Sequence, residues 1–255
     1  MEAQINKPKG VFGASTISQL LAGGTGKTRM NCIIDRALDM LGIKSTYQSE
    51  EMRHGIATEA MAYTNVVEPL FPNSIYQSDI YIPINENCGA SPDVLIDIND
   101  TLDLKCPSFH SFMRGKYGNE QTQKSYKDQV QMQLLATGGT QGILLYYLSK
   151  PITWNNADNW ENYKFKKFED CYYYTVLQKD EVVQESILDA VAKAAPERDN
   201  VFDLLCLSEI LDFEEIFEKS KEGLMYRKIK EAPNLEYLYR KKIFMYEGEY
   251  FYWQN

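Results

Sequence analysis

The chain has 255 residues, of which 44% are hydrophobic and 25% are charged. This composition is that of a globular protein with a sizeable buried core, and it excludes a disordered or fibrous chain. The 36 acidic residues outnumber the 27 lysines and arginines, which gives a net charge of -9. That balance argues against coating nucleic acid through bulk charge, but it leaves room for a local basic groove.

The cysteines and the apolar runs exclude several other classes of protein. The five cysteines form no CxxC pair, and the histidines, His54 and His110, complete no zinc-binding spacing. We therefore expect free thiols in a reducing cytosol. No apolar run approaches the ~20 residues that span a bilayer, and the polar start MEAQINKPKG is not that of a signal peptide. The sequence predicts a soluble, cytoplasmic protein.

The first part of the chain is predicted to be helical. A short helix capped at Ser15 or Thr16 is followed by a second helix over residues 30–42. A third helix extends from about Ser49 to Val67. Its buried stripe is predicted to consist of Met52, Ile56, Ala60, Tyr63 and Val67.

After the third helix the period of the pattern changes from 3.6 to 2, which indicates strands. The predicted elements that follow are strands over 75–84, 91–98 and 101–107, a helix over 121–137, strands over 142–149 and 171–178, and a helix over 178–195. This order predicts an α/β fold. From Asp199 onward we expect an acidic helical stretch and a hairpin that turns at Glu247-Gly248. The domains predicted are a core over 1–196 and an extension packed on it over 197–255.

The most informative stretch is the predicted hairpin SPDVLIDINDTLDLKCP, residues 91–107. A two-residue turn would place Asp93 and Asp103 on opposite faces. A three-residue loop that pairs Ile98 with Leu102 places the two carboxylates on the same face. The apolar pattern favours the second register, because a one-residue slip would scatter the apolar side chains over both faces.

That register gathers carboxylates and a lysine on one side of the hairpin. Asp103 and Lys105 are two residues apart, so they project from the same face of a strand. Carboxylates a few ångströms apart repel each other, and a hard divalent cation with oxygen ligands removes the conflict. Lys105 could then hold the attacking water of a hydrolysis reaction. The alternative is a half-exposed hairpin whose outer face is simply charged.

Two predicted helices add polar groups to the same region. Glu59 leans toward the apolar stripe of the third helix, so it either faces the hairpin or reaches water at the edge of the stripe. Gln129 and Gln133 lie on the packing face of helix 121–137. Glutamines in that position predict hydrogen bonds to polar groups in a cleft.

The order of these motifs resembles that of the PD-(D/E)XK nuclease superfamily. More narrowly, it is similar to the lambda exonuclease / YqaJ-type viral recombinase family over residues 8–195. The matching motifs are RHGIATE with Glu59, SPD with Asp93, LDLKCP with Asp103 and Lys105, and YKDQVQMQ with Gln129. The resemblance implies a restriction-endonuclease-like core, in which a central mixed sheet is flanked by helices.

The resemblance also implies roles for the matching residues. Asp93, Asp103 and the carbonyl of Leu104 would bind Mg²⁺ or Mn²⁺, and Glu59 would serve a second metal ion or the water network. Asp103 stands where lambda-type members often have Glu.

Further roles concern the attacking water and the DNA. Lys105 would orient and activate the nucleophilic water, while Gln129 would support the lysine or the scissile phosphate. The residues expected to contact DNA are Ser15, Lys27, Arg29 and Lys124.

The function implied is that of a metal-dependent DNA exonuclease. It would digest one strand of linear double-stranded DNA 5′ to 3′ and leave 3′ overhangs for phage-type recombination. The acidic net charge fits a ring-shaped homo-oligomer, for which the resemblance suggests a trimer, with basic residues lining its channel. A single-strand annealing protein is a further expected partner. The alternatives are a PD-(D/E)XK endonuclease, a single-strand nuclease and an inactive nuclease-fold DNA-binding scaffold.

Overall fold

A computed structural model describes residues 7–22, 27–43, 49–77, 80–118, 123–148, 168–210, 225–229, 243–246 and 249–254. The chain divides into two compact units. The first unit consists of Met1–Lys7, Gly13–Ser18 and Thr46–Ile187, and the second consists of Pro8–Phe12, Gln19–Ser45 and Leu188–Asn255.

The described residues form seven α-helices, some of which have clear boundary signals in the sequence. They are α1 (Ile17–Leu21), α2 (Lys27–Met40), α3 (Glu50–Ala62), α4 (Glu68–Leu70), α5 (Phe109–Tyr117), α6 (Lys124–Thr137) and α7 (Glu181–Ile210). The side chain of Ser49 caps α3 by accepting the N–H of Met52. Gly138 ends α6 in the left-handed conformation that glycine adopts most readily. Among the described helices, none is long and apolar enough to cross a membrane.

The strands form a five-stranded mixed sheet and two smaller sheets. They are β1 (Phe12–Gly13), β2 (Ile75–Tyr76), β3 (Ile82–Asn85), β4 (Cys88–Ala90), β5 (Val94–Ile96), β6 (Asp100–Lys105), β7 (Gln141–Tyr147), β8 (Tyr172–Gln178), β9 (Met225–Ile229), β10 (Ile243–Tyr246) and β11 (Glu249–Gln254). The main sheet has the order β2-β5-β6-β7-β8, and the smaller sheets have the orders β1-β4-β3 and β10-β11-β9. In the main sheet β6 and β7 are parallel, and the chain between them contains α5 and α6.

Helices cover both faces of the main sheet. On one face α3 and the π-helical turn after it pack on a cluster that contains Ala62, Val66, Val67, Val94, Ile96, Leu102, Leu104, Ile143, Leu145 and Tyr147. The opposite face presents Leu144 and Tyr146 to Phe112 of α5. A Cβ at Gly142 would lie 2.3 Å from Val130 of α6, so glycine is required there for close helix–sheet packing. The predicted fold class, a central mixed sheet flanked by helices, is confirmed.

Several predicted element ends need correction. The strand predicted over 75–84 divides into β2 and β3, which belong to different sheets. The first short helix is preceded by a 3-10 turn whose N-cap is Gly13 and not Ser15 or Thr16. The Thr16 hydroxyl instead donates to the carbonyl of Gly13.

The C-terminal part differs partly from its prediction. Helix α7 continues through Asp199, where a separate pattern was expected, and ends at Ile210. The predicted boundary at 196/197 therefore falls within a helix, and the division into core and extension stays a prediction. The hairpin is confirmed, because β10 pairs with β11 with Tyr246 opposite Glu249. Strand β9, which pairs with β11, was not predicted.

The buried face of α3 is not the predicted one. Met52 is 53% exposed and Ile56 is 59% exposed. The buried residues of this segment are His54, Thr58, Ala62, Val66 and Val67, and of these Val67 alone belongs to the predicted stripe. The small side chains of Thr58 and Ala62 allow α3 to pack closely on the sheet, and that contact buries a face with little apolar character in its first turns.

Candidate active site

The β5–β6 hairpin has a three-residue loop, as predicted, but the loop lies two residues earlier in the chain. Ile96 pairs with Asp100 and Val94 with Leu102, so the loop consists of residues 97–99. The predicted pairing of Ile98 with Leu102 is wrong, and Ile98 is 81% exposed in this loop. The predicted and observed registers differ by an even number of residues, so each side chain lies on the face of the sheet that was predicted for it.

Asp103 lies at the centre of the candidate site and has no exposed surface. Its Oδ1 accepts hydrogen bonds from Nε2 of Gln129 at 2.6 Å and from Nε2 of Gln133 at 2.9 Å. Its Oδ2 lies 2.5 Å from Nζ of Lys105. Both oxygens of this buried carboxylate are therefore in charge-assisted contacts, which are stronger than neutral hydrogen bonds.

Lys105 is held by three groups on one side of the sheet. Besides Asp103, its Nζ donates to Oε1 of Gln129 at 3.4 Å and lies 4.9 Å from the ring centroid of Tyr126. Burial alone would lower the pKa of Lys105, but the charge of Asp103 and the hydrogen bond to it outweigh burial and raise the pKa above its ordinary value. Lys105 is therefore cationic at any physiological pH.

Asp93 precedes β5, and its carboxylate faces β6. The backbone N–H of Leu104 donates to Oδ2 of Asp93 at 2.7 Å. The carbonyl of Asp93 accepts the N–H of Gln77 at 2.9 Å, which extends the β2–β5 pairing. Burial and the nearby charge of Asp103 raise the pKa of Asp93 well above its ordinary value. This carboxylate is thus costly to ionise unless a positive charge lies beside it.

Glu59 reaches the same electrostatic environment from α3. Burial raises its pKa, Lys105 opposes that increase, and Asp103 adds to it. The neighbouring thiol of Cys106 has a pKa of about 11, mainly because of burial. Cys106 is therefore protonated and inert, and the reactive groups of the site are its carboxylates, lysine and amides.

The donor set fits a hard divalent cation in its chemistry. Asp103 is buried and Asp93 is half-buried, and the side-chain amide oxygen of Gln133 is buried without a hydrogen-bond partner among the described residues. Oxygen donors of this kind suit Mg²⁺ and Mn²⁺. Within the described ranges, however, no group of three or more Asp, Glu, His or Cys residues is arranged to hold a metal ion. Lys105 supplies the positive charge beside Asp103 instead.

The comparison with known families agrees with this geometry. The YqaJ-like viral recombinase domain matches residues 6–140. The chain belongs to this family. The match includes the helix with Glu59, the hairpin with Asp93, Asp103 and Lys105, and the helix with Gln129. The resemblance inferred from the motifs is thus confirmed.

Solved structures share the fold of this YqaJ-like chain. The alkaline exonuclease LHK-Exo from Laribacter hongkongensis is 19% identical, with a TM-score of 0.61, and the match covers 79% of this chain and 94% of that one. Its complex with dAMP gives the same identity and score over 80% and 96% of the two chains. A phage-related exonuclease from Haemophilus somnus 129PT is 14% identical, with a TM-score of 0.61 over 76% and 95%. No curated protein sequence matches the chain.

The residues predicted to contact DNA are distributed over the two units of the YqaJ-like chain. Ser15 and Lys124 belong to the first unit, where both are exposed and Lys124 pairs with Asp128 at 3.0 Å. Lys27 and Arg29 belong to the second unit. There, Arg29 donates two hydrogen bonds to the carboxylate of Glu197 at 2.7 and 2.8 Å. That bidentate contact raises the pKa of Arg29 and engages its guanidinium within the unit.

Two residues of the YqaJ-like site were given no catalytic or metal-binding role from the sequence, although Gln133 was expected to hydrogen-bond to a polar group in a cleft. Tyr126 contacts Lys105 and Gln133 contacts Asp103. Both lie on the same face of α6 as Gln129, three residues before it and four residues after it. Helical spacing had already placed Gln133 on this face with Gln129, and the same spacing could have assigned both Tyr126 and Gln133 to the site.

Proposed function

We propose that this YqaJ-like chain is a metal-dependent exonuclease that acts on linear double-stranded DNA. The observation that carries the proposal is the cluster of Asp93, Asp103 and Lys105, in which Lys105 lies between the carboxylate of Asp103 and the amide of Gln129. Support also comes from LHK-Exo, an alkaline exonuclease of the same fold that has been solved in complex with dAMP.

A bound divalent cation, Mg²⁺ or Mn²⁺, would lower the pKa of a coordinated water and stabilise the negative charge that develops during hydrolysis of a phosphodiester. Asp93, Asp103 and the carbonyl of Leu104 are the proposed ligands of this ion. Glu59 is proposed to serve a second ion or the water network. The raised pKa of Asp93 supports this assignment, because a cation would relieve the cost of ionising that carboxylate.

Lys105 and Gln129 are proposed to act on the water and the phosphate. Because the pKa of Lys105 is raised, its ammonium keeps its protons at neutral and alkaline pH. It therefore serves to orient the attacking water and to offset negative charge in the transition state, and not to accept a proton. Gln129 holds the ammonium through its Oε1 and holds Asp103 through its Nε2.

The finer features of the proposal follow the family resemblance. Digestion would run 5′ to 3′, release mononucleotides that carry a 5′-phosphate, and leave 3′ overhangs for phage-type recombination in the cytoplasm. The net charge of -9 supports a ring-shaped homo-oligomer, proposed to be a trimer, in which basic residues face an interior channel. The overhang would be passed to a single-strand annealing protein.

The direct test uses linear duplex DNA labelled at either the 5′ or the 3′ end, with Mg²⁺ or Mn²⁺, and covalently closed circles as a second substrate. We expect early release of the 5′ label and intact circles. Lys105→Ala should lower the rate by about 10²–10³-fold. The matched control is Lys193→Ala, which removes an exposed lysine paired with Asp189 and should leave the rate unchanged.

Other outcomes would select one of the alternatives. Cutting of circles would indicate an endonuclease, and digestion of single strands alone would indicate a single-strand nuclease. DNA binding without cleavage under either metal would indicate an inactive scaffold. A strictly monomeric species in sedimentation would contradict the ring.

A further inference from the structure

Gln133 is a fully buried amide on α6. It has no exposed surface, and its helical neighbours Met132 and Leu134 are buried as well. Its Nε2 donates to Oδ1 of Asp103 at 2.9 Å. An apolar side chain of similar size would satisfy the packing requirement at this position without burying a polar group. Packing alone therefore does not explain why a glutamine occupies this position.

The orientation of this amide is fixed by charge. The oxygens of an ionised carboxylate only accept hydrogen bonds, so Nε2 and not Oε1 must face Asp103. Oε1 of Gln133 is consequently buried, and it has no hydrogen-bond partner within the described part of the chain. A buried acceptor without a donor reduces stability. The hydrogen bond from Gln133 to Asp103 therefore leaves the amide oxygen of Gln133 buried without a donor.

The contact decides how the carboxylate of Asp103 is oriented. Oδ1 accepts two amide hydrogens from α6, one from Gln133 and one from Gln129 at 2.6 Å. Two donors on one oxygen oppose rotation about the Cβ–Cγ bond. Oδ2 is therefore directed to Nζ of Lys105, 2.5 Å away.

We propose that Gln133 is a positioning residue that, together with Gln129, fixes the orientation of the carboxylate of Asp103, a residue that would hold the divalent cation. The inference rests on the proposed function, because it assigns Gln133 to the metal-binding part of the same site. Groups that orient a ligand of a metal ion change its affinity by about 10–100-fold when they are removed.

The test compares Gln133→Met with Gln131→Met in the full chain. Gln131 is a buried glutamine on the same helix, but it bonds to the carbonyl of Gln178 and the N–H of Asp180 and does not contact the carboxylates. The primary readout is the dissociation constant of Mn²⁺ without DNA, measured by electron paramagnetic resonance. The second is the Mg²⁺ concentration that gives half the maximal rate on linear duplex DNA.

We expect Gln133→Met to raise both quantities by about 10–100-fold and Gln131→Met to leave both within about twofold of the wild type. Equal shifts in the two variants would show general loosening of α6 and would overturn the inference. A Gln133→Met protein that binds Mn²⁺ with wild-type affinity would also overturn the inference. The proposed function would still stand in that case, provided that the wild-type protein digests linear duplex DNA. A wild-type protein that binds Mn²⁺ but digests no DNA would overturn the exonuclease proposal alone.

Discussion

Lys105 and Asp103 form an ion pair, with 2.5 Å between Nζ and Oδ2, in which the carboxylate is completely buried. A charge of this kind is tolerated in a protein interior only while its partner is present. The two residues are also two positions apart on β6, so strand geometry alone places them on one face. The pair is therefore a structural requirement of the metal-free site as well as part of its chemistry.

Lys105→Met tests that requirement. Methionine fills a comparable volume but leaves Asp103 charged and buried, so we expect the free energy of unfolding in EDTA to fall by about 3 kcal/mol. Added Mg²⁺ should restore part of this loss, because an ion that binds the folded state stabilises it. Urea unfolding with and without Mg²⁺ measures both effects.

The control is Lys193→Met, which breaks the exposed pair between Lys193 and Asp189. It should change the free energy of unfolding by less than about 1 kcal/mol. An equal fall in the free energy of unfolding in the two variants would mean that the ion pair of Lys105 and Asp103 stabilises the protein no more than an exposed pair does.

Asp93 predicts an unusual dependence of stability on pH. Burial, with the charge of Asp103, raises its folded-state pKa well above the ordinary value. At pH values between the ordinary pKa of the unfolded state and the raised pKa of the folded state, the folded protein holds a proton that the unfolded chain has lost. Stability therefore falls as the pH rises through this range. Above the raised pKa the loss is complete and the curve is flat. Glu59, whose pKa is also raised, contributes with the same sign.

Asp93→Asn removes the larger part of this slope. In EDTA we expect the variant to have a higher midpoint of thermal unfolding than the wild type at pH 8 and a smaller difference near pH 5. The exposed carboxylate Asp189, replaced in Asp189→Asn, serves as the control and should leave the slope unchanged. Parallel curves for the wild type and Asp93→Asn would contradict the prediction.

Tyr126 predicts a graded effect on catalysis through Lys105. Its ring centroid lies 4.9 Å from Nζ, and a partly desolvated cation–π contact contributes about 1–2 kcal/mol. Tyr126→Phe keeps the ring and should retain the rate of DNA digestion. Tyr126→Leu loses the contact and should lower that rate by about 5–30-fold. A similar loss in both variants would transfer the role from the ring to the hydroxyl.

The comparison of pattern with structure shows what alternation can and cannot specify. The apolar residues of the hairpin correctly place Val94, Ile96, Leu102 and Leu104 on one buried face. They do not define which residues pair, because an even shift in register keeps every face and displaces only Ile98. The loop conformation decides between these registers. Asp97 and Ile98 have positive φ angles in this loop although neither is glycine, so no local signal in the sequence marks the turn.

The helices show a second limit. The apolar stripe of α3 pointed to Met52 and Ile56, yet both are exposed, because the close contact with the sheet requires small side chains. Glu59 was expected either to face the hairpin or to reach water, and the effect of Lys105 on its pKa favours the first alternative, although Met52 and Ile56 of the stripe used to infer it are exposed. The hydrogen bond from Gln133 to Asp103 depends on tertiary contact between α6 and β6, which no local pattern contains.

Ile98 predicts a stabilising substitution at the tip of the hairpin. Its φ angle is 85°, a left-handed conformation that is strained for a β-branched residue, and its side chain is 81% exposed. Ile98→Gly would relieve about 1–2 kcal/mol of strain and cost about 0.5–1 kcal/mol in unfolded-chain entropy. We expect a net gain of about 0.5–1 kcal/mol in urea unfolding. Ile75→Gly is the matched control, because Ile75 is also exposed but lies in β2, and it should destabilise the protein. Loss of stability in Ile98→Gly would show that the side chain contributes contacts that outweigh its backbone strain.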